Sequence, residues 1–344
     1  MQHRLILAGD VNLKGVADAE VPFSLIGEHL RAADLSFVNL ECCFHESGIE
    51  RSSEDEGFHA PLESARALQL AAVSAVGVAN NVNYGAPAIR SSLRRLDEVG
   101  VAHTGAGVDL NAARAPAIIE RDGIRYGFLQ RTSVYWSHGH EARLDYPGVA
   151  TVKGHTAYRP RLEQTRALTR PGMPPEIVTW AEPEALDMLR EDIGALRERC
   201  DFLVASHHWG LDDEVLDYQR QIARAAIDAG ADLVMGHGPH APMGFEYYRG
   251  KPIAYGLGSL SFNIGHFDRQ HPDWVGLLLE LELSGGALQT LRFRLVRHDA
   301  QNRSYFCTLD KEDLVLERLT ALSRASGSVL HPDRDSNTVR VDAG

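Results

Sequence analysis

The sequence predicts an α/β fold built around a largely parallel sheet. Between residues 4 and 240, short apolar runs that stop at Gly, Asn, Asp or His alternate with amphipathic helical segments. This alternation is typical of βα units, whose strands run parallel. The chain has 344 residues, of which 44% are hydrophobic, and shows no internal repeat. It is therefore long enough to bury a large core as one large domain.

The elements are predicted in the following order. Strands are HRLILAGD, DLSFVNLE, AVGVANN, VAHTGAG, IRYGFLQRTSV, DFLVASHHWG and ADLVMGHGPH. Helices are residues 62–74, SSLRRLDEVG, EALDMLREDIGALRERC and DYQRQIARAAIDAG. Each strand is apolar and stops at a turn residue, and each helix has a 3.6-residue apolar period or a Gly stop.

The rest of the chain reads differently. PIAYGLGSLSF, WVGLLLELEL and LQTLRFRLVR have no helices between them, so they are predicted to form hairpins of a second or mixed sheet. A last helix is expected over residues 311–325, followed by a loose polar tail after His331. This divides the chain into a main domain, residues 1–300, and a C-terminal helix and tail, residues 301–344.

Residues 137–183 interrupt the alternation. They are rich in Pro, Gly, His and Arg and have weak periodicity. A loop this long inside a domain is usually functional or disordered. Its Trp, Tyr and His content favours an ordered lid or substrate-binding loop over disorder.

Composition excludes several classes of protein. Forty-seven acidic residues against 35 basic ones give a net charge of −12, which argues against binding nucleic acid or an anionic membrane. The four cysteines include no Cys-x-x-Cys pair, as expected of a reducing compartment. The apolar run at the N-terminus is too short for a signal peptide or a membrane span. A soluble, cytoplasmic protein is expected.

Metal-compatible side chains stand at five predicted strand ends. They are Asp10; Asn39 and Glu41; Asn80 and Asn81; His207 and His208; and His237 and His240. The carboxyl ends of parallel strands meet at one edge of a sheet, where ligands bind. Mixed carboxylate, carboxamide and imidazole donors suit Mn, Fe, Zn or Co, and a bridging carboxylate can hold two ions.

These motifs make the chain resemble the CapA family, named for capsule and poly-γ-glutamate synthesis, within the calcineurin-like metallophosphatases. The resemblance spans residues 3–265 and rests on LAGDVNL, DLSFVNLE, GVANNVNYG, GAGVDLNAARAP, SHHWG and AGADLVMGHGPHAPMGFEYYRGKPIAYGLGSLSF. It implies a four-layer α/β/β/α sandwich with a dinuclear metal site. The family's ligand positions are matched by Asp10, Glu41, Asn81, His208, His237 and His240.

The chain departs from the family pattern at three places. Val82 stands where a histidine helps protonate the leaving group in phosphatase relatives, a role worth about 10²–10⁴-fold in rate. Gly238 replaces a second histidine, and Gly258-Ser259-Leu260 replaces Gly-Asn-Phe. Capsule-synthesis relatives often carry an N-terminal membrane span, which the N-terminal residues here do not resemble. These changes lower the expectation of phosphoester hydrolysis.

The leading functional hypothesis is a peptidyl epimerase, as in the soluble lasso-peptide epimerases that this branch resembles. Such an enzyme converts an L residue of a ribosomal natural-product precursor to its D form by removing and returning the Cα proton. Asp10 and His208 are candidates for ligand or base, and His207 is a further base. Asn80, His138 and His140 are predicted to bind the peptide substrate. Asp212 and His298 are additional candidate bases.

Two alternatives stay open: a metal-dependent hydrolase of a phosphoester or a γ-glutamyl or other amide bond, and a non-catalytic binding module. The expected cofactor is a divalent ion such as Mn, Zn, Fe, Ca or Mg, with two, one or no ions retained. Cys42 and Cys43 are interpreted as packing thiols rather than nucleophiles. The sequence does not define the oligomeric state.

Overall fold

The computed structural model describes residues 1–46, 57–161, 172, 174–212 and 214–344. Within them the strands are β1 Gln2–Asn12, β2 Leu35–Leu40, β3 Cys43–Phe44, β4 His59–Ala60, β5 Ala75–Gly77, β6 Ala102–Thr104, β7 Ala106–Gly107, β8 Ala117–Arg121, β9 Ile124–Thr132, β10 Gly148–Val149, β11 Gly154–Arg159, β12 Glu176–Ala181, β13 Phe202–His208, β14 Leu233–His237, β15 Phe245–Tyr248, β16 Lys251–Ala254, β17 Ser259–Phe262, β18 Gly276–Ser284, β19 Ala287–His298, β20 Ser304–Phe306, β21 Ser328–Asp333 and β22 Thr338–Ala343. The α-helices are α1 Gly27–Arg31, α2 Arg66–Leu70, α3 Ala86–Glu98, α4 Leu110–Arg114, α5 Pro183–Arg197, α6 Asp217–Asp228 and α7 Asp313–Ala325. None of the helices in these ranges is both long and apolar enough to cross a bilayer.

Two sheets form the body of the protein. A ten-stranded sheet has the order β21-β22-β19-β18-β1-β2-β5-β6, with β17 beside β1 and β20 beside β19. A six-stranded sheet has the order β15-β16-β14-β13-β9-β8. The central pairs β1–β2, β2–β5, β9–β13 and β13–β14 are all parallel, so their carboxyl ends share an edge.

Three hydrophobic layers hold the sheets and helices together. The two sheets pack face to face, with Phe37 stacked on Phe128 at 4.9 Å between ring centroids. The other face of the ten-stranded sheet packs against α1, α2 and α3, and that of the six-stranded sheet packs against α5 and α6. Successive residues of a strand alternate between these layers, as Leu5 and Ile6 do. The predicted α/β/β/α sandwich is confirmed.

The segments after residue 250 confirm one expectation and correct another. WVGLLLELEL and LQTLRFRLVR contribute β18 and β19, which form the predicted antiparallel hairpin. PIAYGLGSLSF is not part of a hairpin with them. Its first half is β16, parallel to β14, and its second half is β17, parallel to β1. This segment therefore passes from one sheet to the other directly beside the strand ends.

The prediction of a loose tail after His331 is wrong. β21 and β22 form an antiparallel hairpin, and β22 pairs with β19 in the ten-stranded sheet. Val339 and Val341 are fully buried between the sheets because they alternate with exposed residues along β22. Residues after 300 thus extend the main sheet, whereas the predicted last helix is α7.

Residues 137–183 contain more regular structure than expected from their sequence. β11 and β12 pair in an antiparallel ribbon, and β10 pairs with β7. The part of this segment at 162–171 and 173 lies outside the described residues. The described part is an ordered attachment to the sandwich, in agreement with an ordered loop.

One buried charge cluster on β18 makes stability depend on pH. Glu280 accepts hydrogen bonds from His29 at 2.8 Å and Arg294 at 2.7 Å, and its side chain is 14% exposed. Burial would raise its pKa, but the bonds from His29 and Arg294 outweigh burial and lower the pKa from 4.5 to about 2. The lowered pKa gives at most about 3 kcal/mol, less solvent screening.

We expect Glu280→Gln to reduce the free energy of unfolding most above pH 4.5, where the native carboxylate is ionised in both states. The difference from wild type should narrow as the pH falls towards 2, because protonation removes the ion pairs. Urea unfolding at several pH values measures it. Glu282→Gln, two residues along the same strand and 57% exposed, is the matched control. A difference that is constant with pH would contradict the assignment.

Candidate metal centre

The centre lies where the carboxyl ends of β1, β2, β13 and β14 meet. A register shift between Ala8 and Asp10 bends β1 at this point, and the backbone N–H of Asp10 donates to Gly258 O at 2.9 Å. Bulges of this kind re-aim side chains beside functional sites. Here the bulge leaves the Asp10 carboxylate fully buried between the two sheets.

Two groups of three side chains converge on this carboxylate. One comprises Asp10, His208 and His237, and the other comprises Asp10, Glu41 and His240. In each group the potential ligand atoms all lie within 4.8 Å of one another. Asp10 belongs to both groups, which is the arrangement that holds two ions about one bridging carboxylate. We call them the inner and the outer group.

The inner group is completely enclosed. His208 Nδ1 lies 3.0 Å from His237 Nδ1, and His237 Nδ1 lies 3.7 Å from Asp10 Oδ1. His208 Nε2 lies 2.8 Å from Asn81 Oδ1, so the predicted carboxamide ligand also reaches this group. Asn39 donates to Asp10 Oδ1 at 2.8 Å and orients the carboxylate.

Sequence reasoning missed two residues that orient His237. Its Nε2 lies 2.8 Å from Ser206 Oγ and 3.0 Å from Gln130 Nε2, while its Nδ1 faces the other ligands. A partner on one ring nitrogen sets which nitrogen is available to an ion. Ser206 could have been found from the sequence, because it is two residues before His208 and shares its face of β13.

The outer group is more open. His240 Nδ1 lies 3.0 Å from Asp10 Oδ2, and His240 Nε2 lies 3.7 Å from Glu41 Oε1. The imidazole stacks on Trp274 at 4.1 Å between centroids. No sequence signal pointed to Trp274, which reaches the centre from the segment before β18.

The electrostatics of the cluster are those of a cation site. Burial would raise the pKa of Asp10, but the hydrogen bond and charge of His240 lower it to about 2. Burial and the Asp10 charge raise the pKa of Glu41 well above its usual value. Burial lowers the pKa of His208 to about 4, so its ring is neutral near pH 7. Neutral imidazoles beside carboxylates are the form in which these side chains bind metal.

The residues present fit a divalent metal. Glu41 Oε2 is buried and accepts no hydrogen bond from any residue of the described ranges. Such an atom carries a desolvation cost that a coordinated cation removes. Carboxylate, imidazole and carboxamide donors together suit Mn, Fe, Zn or Co better than a thiolate metal.

Several residues predicted for the site lie elsewhere or serve as supports. His207 is on the opposite face of β13 from His208 and stacks on Trp209 at 5.0 Å, so it is not placed to act as a base. Asn80 is fully buried and donates to Asn39 Oδ1 and Leu40 O, so it braces the loop instead of facing substrate.

His140 and His298 are also buried away from the cluster. His140 accepts from the Trp136 N–H at 3.0 Å, and its other ring nitrogen lies 3.0 Å from Asn83 O. It supports the loop that carries Asn81. Only His138 and Asp212, of the proposed bases and substrate contacts, are exposed. Their loops adjoin the centre, since Tyr84 donates to His138 O and Asp212 follows His208 closely.

The positions that depart from the family pattern are also defined. The Val82 side chain is fully buried in the layer beneath α3. Gly238 has φ +122, and a Cβ there would lie 3.3 Å from His208 Nε2. Any side chain at this position therefore presses on a candidate ligand. Cys42 and Cys43 are fully buried, and burial raises the pKa of Cys42 to about 12, in agreement with packing thiols.

A cavity of about 630 Å³ adjoins the centre on the side of His208. Its walls include Ser133, Tyr158, Ile177, Gly210 and Asp212, drawn from the β11–β12 ribbon and the loop after β13. Ser133 N–H donates to His208 O at 2.8 Å, which ties the cavity wall to the inner group. We call it the side cavity.

The four-layer sandwich and the paired ligand groups together define a metallophosphatase-like protein. The family described as bacterial capsule synthesis protein PGA_cap matches residues 4–264, so the chain belongs to this family.

Curated relatives are similar over most of the chain. The uncharacterized protein y4uA of Sinorhizobium fredii is 28% identical over 75% of this chain and 66% of its own length. The PGA biosynthesis protein CapA of Bacillus subtilis is 26% identical over 72% of this chain and 58% of its own. The chain thus spans less than two thirds of the length of these relatives. A solved hypothetical protein from Thermus thermophilus covers 86% of this chain and 100% of its own at 16% identity, with a TM-score of 0.48.

Proposed function

We propose that this chain is a metal-dependent enzyme that epimerises a residue of a peptide. The observation that carries the proposal is the absence, among the described residues around the centre, of an imidazole free to protonate a leaving group. Val82 is buried in the core, position 238 has no side chain, and His207 faces the other side of its strand. The ligand groups are nevertheless complete, which favours chemistry without a leaving group.

Epimerisation needs only one bond at Cα to break and reform. A base on one face takes the Cα proton, and the electron pair moves into the adjacent carbonyl. The conjugate acid of a base on the other face returns a proton to Cα, so atoms and charge balance. A bound divalent ion would supply positive charge beside that carbonyl oxygen.

The two bases are proposed to be His138 and Asp212. Asp10 and His208 face other ligands within the buried cluster, which suits them to coordination instead of proton transfer. His138 and Asp212 are exposed and leave the centre on two different loops. A peptide lying between these loops would present its two faces to different side chains.

The side cavity is proposed to receive a side chain of the peptide. Tyr158 and Ile177 on its wall are exposed apolar residues of the β11–β12 ribbon. A ligand that covers them gains about 25 cal/mol per Å² of apolar surface removed from water. Residues 137–183 thereby supply part of the substrate groove.

Hydrolysis of a phosphoester or an amide, including a γ-glutamyl bond, is the second candidate. The observation that favours it is Asp10, whose carboxylate belongs to both ligand groups. A two-ion centre of this form is suited to activating water. The PGA biosynthesis name of the B. subtilis relative is compatible with an amide polymer as substrate.

Incubation of the metal-loaded protein with a library of short linear peptides in D₂O separates these functions. Epimerisation should add one deuterium at a Cα, with otherwise unchanged mass, and chiral amino-acid analysis should detect a D residue. His138→Gln and Asp212→Asn should each retain exchange in one direction while slowing inversion. Trp180→Phe, on β12 but outside the side cavity, is the control.

Hydrolysis gives a different result. A gain of the mass of water, or phosphate released from an aryl phosphate, with no deuterium at Cα, would overturn the epimerase proposal. We expect little turnover of an aryl phosphate because no acid stands at position 82. Loss of such turnover in Asp10→Ala would assign it to this centre.

A further inference from the structure

The inner and outer groups are held in different ways. His208 and His237 are fully buried strand residues, and their rings contact Asn81, Ser206 and Gln130. His240 is in the turn after β14, and its side chain is 20% exposed. It meets the ligands opposite it through the approaches to Asp10 and Glu41 described above.

The backbone at His240 does not favour its own conformation. Its φ is +54, in the left-handed region that residues with a Cβ seldom adopt. Such conformations persist where the surrounding structure over-determines them, and they concentrate at functional sites. The contacts that fix the His240 ring therefore decide whether its two nitrogens point at the outer group.

Trp274 provides the most extensive of these contacts. Its indole lies parallel to the imidazole of His240, with centroids 4.1 Å apart and planes 9° from parallel. Phe262 lies beside both rings, 4.6 Å from His240 and 4.9 Å from Trp274. Ser259 Oγ lies 3.3 Å from His240 Nδ1 and adds one polar contact.

Trp274 is fixed from its other side. His271 stacks on the opposite face of the indole at 3.8 Å, with planes 10° from parallel. The three rings form a parallel stack in the order His240, Trp274, His271. A ring held on both faces cannot tilt freely, so it holds the His240 imidazole in the plane that faces Asp10 and Glu41.

We propose that Trp274 is a positioning residue for the outer group and that the outer ion is the exchangeable one of two. This rests on the metal dependence of the proposed function but not on its reaction. The buried inner group holds its ion through strand residues that Trp274 does not touch. Loss of the indole face therefore weakens the outer position and leaves the inner one.

Calorimetric titration of the metal-free full-length protein with MnCl₂ tests this inference. Wild type should bind two ions with unequal affinities. Trp274→Ala should bind the tighter ion within about threefold of wild type and the weaker ion at least about tenfold less tightly, in the range typical of residues that orient ligands. Trp274→Phe retains an aromatic face and should restore most of the second affinity. Trp180→Ala, on the β11–β12 ribbon, should match wild type.

Fluorescence gives an independent readout. Filling the outer position should change the emission of the stacked indole, and this change should vanish in Trp274→Phe but persist in Trp180→Phe. Equal weakening of both ions in Trp274→Ala, no weakening at all, or no rescue by Phe would overturn the inference. So would wild type that binds fewer than two ions. Absence of deuterium at Cα would overturn the epimerase proposal alone, because this titration uses no peptide.

Discussion

Replacing Asp10 with asparagine is expected to weaken both ions, because its carboxylate belongs to both ligand groups. The substitution keeps the shape of the side chain and can still accept from Asn39. It removes a buried charge that faces three histidines. Breaking a buried charge arrangement costs about 3–5 kcal/mol, so affinity should fall by at least about 10²-fold at each position.

Elemental analysis after dialysis, with calorimetric titration by Mn²⁺ or Zn²⁺, measures this loss. Glu41→Gln should remove only the outer ion, because Glu41 belongs to one group. Asp212→Asn, which changes an exposed carboxylate outside both groups, should keep both ions. Two ions bound to Asp10→Asn with unchanged affinity would reject Asp10 as the shared ligand.

Replacing Gly9 with alanine is expected to destabilise the protein by about 3 kcal/mol and to disturb the centre. A Cβ at this position would lie 1.9 Å from the carbonyl oxygen of Gly258, which is backbone and cannot rotate away. The same oxygen accepts the hydrogen bond from Asp10 N–H. Relief of the clash must therefore move the strand that aims the Asp10 carboxylate.

Urea unfolding of the metal-free protein measures the loss of stability, and titration measures the effect on the ions. Gly194→Ala is the matched control: Gly194 is inside α5, and a Cβ there meets no atom within 4 Å. It should raise stability by up to about 1 kcal/mol, since alanine is the better helix former. Equal effects of the two substitutions would show that the approach of Gly9 to Gly258 is not a structural constraint.

The residues at the carboxyl ends of the strands were predictable from the sequence alone. Strands and helices leave periodic signals of two and 3.6 residues, and the ends of parallel strands share an edge. The pattern of the chain therefore suffices to place Asp10, Glu41, Asn81, His208, His237 and His240 near one another. Their roles as ligands remain a proposal that the titrations above address.

Some errors had local causes that the sequence could have corrected. His207 and His208 are consecutive on one strand and must face opposite sides, so at most one of them could join the cluster. The tail after His331 contains the alternation Val339, Arg340, Val341, which is the signal of a half-buried strand. Its polar composition obscured that period.

Local pattern determined the α/β class of this protein, its strand order along the chain and the set of donors at the strand ends. Tertiary structure alone decided how those donors divide into two groups about Asp10, and which distant residues orient them. Gln130 reaches His237 from β9 and Trp274 reaches His240 from the segment before β18, and in both pairs the partners are far apart along the chain. Such contacts follow from how the two sheets pack, and no periodic signal within either segment records them.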